Sequence, residues 1–91
     1  MIVEHTNEFD QSIKKLKDKV AKERLNFLIE KLKKAQTLHE ISNVLPVKNH
    51  PMIYRIKTGN YRLFVLYKNG NITILLLEYI KRSEKTYLSY R

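Results

Sequence analysis

Ninety-one residues, 43% of them hydrophobic, are enough for one modest core and leave no room for a second, so residues 1–91 read as a single domain. No cysteine is present, which excludes a disulfide framework and a thiolate metal site. His5, His39 and His50 stand in unlike contexts without ligand spacing, so neither metal nor cofactor is expected. Eighteen Lys and Arg against nine Asp and Glu give +9, of which residues 1–45 contribute +2 and residues 46–91 contribute +7. Such a field favours a polyanionic partner without choosing which. The start, Met1-Ile2-Val3-Glu4-His5, lacks the features of a signal peptide, and the longest apolar stretch, Ile72 to Leu77, is far too short to span a bilayer. The expectation is a soluble cytoplasmic protein.

In chain order, residues 2–5 suit a short first strand, and Thr6-Asn7-Glu8 supplies a cap and an acid for a helix start. Phe9, Ile13, Leu16 and Val20 follow at helical spacing, and Leu25, Leu28, Ile29 and Leu32 repeat the pattern. A break near Asp18-Lys19 makes two helices forming a hairpin. Lysines at 31, 33 and 34 read as a solvated helix face. From Leu38 to Pro51 the pattern lapses into a proline- and asparagine-bearing loop. Ile53–Lys57 and Tyr61–Tyr67 then read as strands about a Thr58-Gly59-Asn60 turn, and Asn69-Gly70 as a hairpin turn into Ile72–Tyr79. That last strand is apolar on both faces and should be central or covered. The tail from Lys81 to Arg91 suits a short helix or an irregular end. The expected fold class is α+β: an N-terminal strand and a helical hairpin packed on an antiparallel sheet of about four strands.

Residues two apart in a strand share a face, which sets Arg55 beside Lys57. Across the turn Arg62 can approach them, and Arg82 and Tyr87 arrive from the last segment. Such a group suits a phosphodiester: arginines clamp its oxygens and stabilise the charge of a pentavalent transition state, while a tyrosine stacks on a base or orients the phosphate. RNA cleavage needs no metal when the adjacent 2′-hydroxyl is the nucleophile, because the attack is intramolecular. Lys57 can be the base if its cationic neighbours disfavour its protonated form, and arginine cannot. His50 is a second candidate base.

The run Tyr54-Arg55-Ile56-Lys57-Thr58-Gly59-Asn60-Tyr61-Arg62-Leu63, with Lys81-Arg82 followed by Tyr87, resembles the RelE family of the RelE/ParE toxin-antitoxin superfamily. The resemblance covers nearly the whole chain and implies a RelE-like fold. It also implies a type II toxin: an endoribonuclease, or mRNA interferase, that enters the ribosomal A site. It would cut messenger RNA by 2′-hydroxyl attack, leave a 2′,3′-cyclic phosphate and inhibit translation. The implied partners are a cognate antitoxin, the ribosome and its mRNA. Carried over by position, Lys57 is the base, Arg62 a transition-state stabiliser, Arg82 a phosphate contact and possible proton donor, and Tyr87 a stacking or orienting group. Tyr90 is the alternative to Tyr87. Arg55 and Lys81 join Lys57, Arg62 and Arg82 as RNA contacts. Arg55 departs from members with lysine there and binds phosphate without serving as base. The rival readings are a ParE-like inhibitor of DNA gyrase and a basic RNA- or antitoxin-binding module without activity.

Overall fold

The first strand of the chain pairs with a strand some seventy residues later. In the computed structural model, which describes residues 1–83, β1 (Ile2–His5) runs parallel to β5 (Thr73–Lys81), with Val3 opposite Ile74 and His5 opposite Leu76. Between them come α1 (Asn7–Lys14), α2 (Lys19–Lys34), a 3-10 turn at Leu38–Glu40, β2 (Val44–Val47), β3 (His50–Thr58) and β4 (Tyr61–Leu66). The strand order is β1-β5-β4-β3-β2, antiparallel except at β1–β5. This is the expected α+β fold, two helices on a sheet, with five strands in a mixed arrangement instead of about four antiparallel ones. No helix among the described residues is long and apolar enough to cross a membrane.

The additional strand is β2, which falls within the segment expected to be a loop. Pro46 disguises it. Proline lacks a backbone donor, but β2 is an edge strand, where the missing N–H need not break a ladder bond. Lys48 and Asn49 form the two-residue turn into β3, and Asn49 takes a left-handed φ of 67° that asparagine tolerates well. The Asn69-Gly70 turn is also less tight than expected: β4 ends at Leu66 and β5 starts at Thr73.

Asp18 accepts from the Ala21 N–H at 3.1 Å and so starts α2, at the expected break. Because α1 has already ended at Lys14, the helical phase is reset, and Val20 does not continue the Phe9–Leu16 face but stands 54% exposed. Leu25, Leu28 and Leu32 are buried against the sheet with Ile29 partly so. At the far end of α2 the Met1 ammonium donates to the carbonyls of Leu32, Lys33 and Ala35 at 3.1, 2.9 and 2.6 Å, placing a cation at the negative end of the helix.

Where β1 stops, α1 takes over the open side of β5. The Thr6 hydroxyl caps α1 by accepting from the Phe9 N–H at 3.1 Å and donates to the Leu76 carbonyl at 2.9 Å. The Ser12 hydroxyl donates to the Phe9 carbonyl at 2.7 Å and accepts from the Tyr79 N–H at 3.0 Å. Both bonds flank a bulge: Phe64 pairs with Glu78 but Val65 with Leu76, leaving Leu77 as the extra residue. A buried strand segment is thus satisfied by two side chains where it lacks a neighbouring strand.

The two faces of the sheet differ. Ile56, Tyr61, Leu63, Val65, Ile74, Leu76 and Tyr79 meet the helices in the main core. Phe64, Leu77 and Ile80 form a smaller cluster on the other face.

Candidate nucleic-acid interface

The β3–β4 hairpin positions the central cations. Gly59 has φ of 60° while Asn60 is not in the left-handed region, the pattern of a type II′ turn with glycine first. Thr58 pairs with Tyr61 to close this turn, so Lys57 pairs with Arg62 in the next row. The Lys57 N–H donates outward to the Asn43 carbonyl at 3.1 Å, away from β4. Lys57 and Arg62 are therefore a non-hydrogen-bonded cross-strand pair, the kind whose Cα atoms approach to about 4.5 Å and whose side chains lie closest. Ile56, Tyr61 and Leu63 all face the helices, so strand alternation sends Lys57, Arg55 and Arg62 to the opposite face together.

The neighbouring row runs Arg55, Phe64, Glu78. Arg55 and Arg62 are half-buried, whereas Lys57 is exposed. Arg82 lies one residue beyond β5, where its N–H donates to the Asn60 carbonyl at 2.7 Å. Its backbone is thereby anchored at the hairpin turn, beside the Lys57–Arg62 row, and Arg82 is exposed. Four of the expected cations are thus gathered at one end of the sheet by register and turn geometry.

Lys81 goes elsewhere. It pairs with Tyr61, a helix-facing residue, and lines a cleft with Lys15 and Lys17 on that side. His50 begins β3 while Lys57 lies near its end, seven residues away, or about 23 Å of extended chain. The fold does not bring that imidazole to Lys57. Tyr87 and Tyr90 lie outside the described residues.

Two residues of this neighbourhood are not evident from sequence spacing. The Arg24 side chain on α2 packs directly against Gly59, where even a methyl group would collide with its guanidinium. This brings a further cation to the turn, from 35 residues earlier in the chain. Glu78 is fully buried in the row beside Phe64. It is diagonal to Arg62, about 7–8 Å between Cα atoms, a separation that long side chains span. A lone glutamate inside the apolar run Leu75-Leu76-Leu77-Glu78-Tyr79-Ile80 was the available signal for it.

Lys57 opposite Arg62 places like charges directly across a strand pair, an arrangement that costs the sheet stability. With Arg55 and Arg82 nearby, the surface can bind a phosphodiester through several charge-assisted contacts.

The sequence matches no protein-family model and no curated protein. The fold does match solved structures of RelE toxins from RelBE toxin-antitoxin complexes. The RelB-RelE antitoxin-toxin complex of Methanococcus jannaschii contains a chain that superposes with a TM-score of 0.74 at 20% identity, over 87% of this chain and 89% of that one. The RelBE2 complex of Mycobacterium tuberculosis gives 0.68 at 17% identity, over 89% and 96%. The intact RelBE complex of E. coli gives 0.68 at 16%, over 92% and 98%.

Proposed function

We propose that the chain is the toxin of a type II toxin-antitoxin pair and that it cleaves messenger RNA in the ribosomal A site without a metal, held inactive by an antitoxin. The observation that carries this reading is the Lys57–Arg62 pair, set directly across from one another on a RelE-type fold. Clustered cations would serve phosphate binding as well. A centre that must meet both the nucleophile and the charge of a pentavalent phosphate gains from having them side by side.

In the proposed reaction the substrate's 2′-oxygen attacks the adjacent phosphorus. Lys57 takes the 2′-hydroxyl proton as base, and Arg62 holds the nonbridging oxygens as their charge grows. The bond to the 5′-oxygen breaks, leaving a 2′,3′-cyclic phosphate on one fragment. The departing 5′-oxygen takes a proton from Arg82 or from water, giving a 5′-hydroxyl. Arg55, one row along the same face, binds a neighbouring phosphate.

The test is primer-extension mapping on programmed ribosomes with added full-length protein. New mRNA ends at A-site codons, lost in Arg62→Ala, support the reading. Intact mRNA together with inhibition of gyrase supercoiling overturns it in favour of a ParE-like toxin. Inertness in both assays leaves a binding module.

A further inference from the structure

Phe27 stands 65% exposed on α2, a helix whose Leu25, Leu28 and Leu32 are buried against the sheet. A lone exposed ring needs no explanation. This one is set among cations. Arg24, Phe27, Lys31 and Lys34 fall within about 80° around the helix axis and about 15 Å along it, so they form one strip. All four are exposed, and the Lys31 Nζ lies 4.7 Å from the Phe27 ring centroid. The strip forms one wall of a groove of about 470 Å³ that separates α2 from β3.

Charge decides the class of occupant. Among the described residues of the wall the one acid is Glu40, and its carboxylate already accepts from the Gln36 and Thr37 N–H groups at 2.8 and 3.0 Å. Within the described residues Arg24, Lys31 and Lys34 pair with no carboxylate. The field therefore favours an anionic chain. Its pattern narrows the choice: the strip runs cation, ring, cation, cation, and a nucleic-acid strand likewise alternates phosphates with planar bases. A polyacidic peptide offers nothing planar to stack. Ser42 and Asn43, exposed on the facing wall, supply a hydroxyl and an amide for base edges or a 2′-hydroxyl.

The groove is continuous with the cationic surface of the sheet. Ile56, Lys57 and Thr58 complete its lining, at the end of β3 where Lys57 pairs with Arg62. Arg24 also packs against Gly59, in the turn that closes that hairpin.

We propose that this groove holds a single-stranded RNA segment flanking the bond to be cut, with one base stacked on Phe27 and adjacent phosphates held by Arg24, Lys31 and Lys34. The proposal rests on the reading of the Lys57–Arg62 surface as an RNA site.

The test is fluorescence anisotropy of the full chain with a labelled, fully 2′-O-methylated RNA hexamer, which the proposed reaction cannot cut. Phe27→Leu, at an exposed position, should weaken binding about tenfold, the loss of one stacked base, with the salt dependence unchanged. Lys31→Ala and Lys34→Ala should each lower the steepness of log K against log salt by about 0.7. An abasic hexamer of the same backbone should bind wild type and Phe27→Leu alike. The proposal is overturned if the hexamer does not bind, if Phe27→Leu binds it as wild type does or loses the abasic hexamer equally, or if neither lysine variant changes the salt slope. It is also overturned if a hexaglutamate peptide binds as tightly as the hexamer, which would make the groove an acidic-peptide site. None of these measurements involves cleavage. Messenger RNA left intact on ribosomes by a chain that passes them would overturn the nuclease reading alone, and hexamer binding lost in Arg62→Ala but kept in Phe27→Leu would overturn the groove alone.

Discussion

Lys57 and Arg62 stand directly opposite one another as a cross-strand residue pair that exchanges no backbone hydrogen bonds, because the Lys57 N–H is committed to Asn43 on the other side. Their side chains are thus as close as antiparallel neighbours become, and neither is needed for the core. Lys57→Ala, at the exposed member of the pair, should leave urea unfolding within about 0.5 kcal/mol of wild type or raise stability slightly by relieving repulsion, whereas Arg62→Ala should cost more, because Arg62 is half-buried within reach of the fully buried Glu78. Both should relieve growth arrest on expression without antitoxin. Growth curves and urea titrations measured on the same variants check this. Full toxicity of both variants would remove the pair from the proposed centre.

Arg24 and Gly59 give a second prediction. Gly59→Ala places a side chain at φ of 60° and in the path of the Arg24 guanidinium, and should cost about 1–2 kcal/mol. Truncating Arg24 to alanine removes the collision but not the backbone strain. The double variant should therefore be more stable than the sum of the single changes implies, by about 0.5–1 kcal/mol. A double-mutant cycle by chemical denaturation measures the coupling, and strict additivity would show that Arg24 does not press on the turn.

Ser12 does for β5 what a neighbouring strand would otherwise do. Ser12→Ala leaves the Tyr79 N–H buried without its acceptor, and should cost about 1–3 kcal/mol although only one oxygen is removed. Hydrogen exchange should locate the damage: the Tyr79 amide accelerates more than amides in β3. Equal protection of Tyr79 in both proteins would refute the assignment.

Tyr79 also predicts an alkaline limit. Burial pushes its phenol above the ordinary value of 10.0, only partly offset by the hydrogen bond with Thr58. The hydroxyl donates to the Ala21 carbonyl and lies 3.0 Å from the Thr58 hydroxyl, so ionisation would break a contact between β5 and α2. A folded-state value raised above the unfolded one means that the protonated phenol contributes stability in full below about pH 10, lost as pH climbs through the folded value. Tyr79→Phe should cost about 1 kcal/mol at neutral pH and flatten the decline above pH 10. Denaturation midpoints at several alkaline pH values test this, and an unchanged slope in the variant would contradict it.

Local patterns carried most of the architecture. Alternation gave β3 and β4 and put Arg55, Lys57 and Arg62 on one face, because period-two geometry needs only neighbouring residues. Asp18 marked the start of α2 for a similarly local reason. What escaped was tertiary. Pro46 is tolerated in β2 only because the strand lies at an edge, a fact of sheet order. The β1–β5 pairing is parallel and spans most of the chain. Arg24 reaches the turn through helix packing, and Lys81 leaves the cationic surface because the Tyr61 register assigns it to the other side. Val20 was misplaced by extending one helical phase across a break, although the break itself was legible.

The partnership of β1 with β5 imposes an order on synthesis. The opening strand, Thr6 and Ser12 all close on residues made some seventy positions later. Contacts so distant in sequence are late to form, because the intervening chain must first be made and then ordered. A nascent chain halted before residue 73 would carry the Lys57–Arg62 hairpin without the strand that backs it. A cationic surface that cut RNA on ribosomes would thus stay incomplete on the one building it until residues 73–81 had been made.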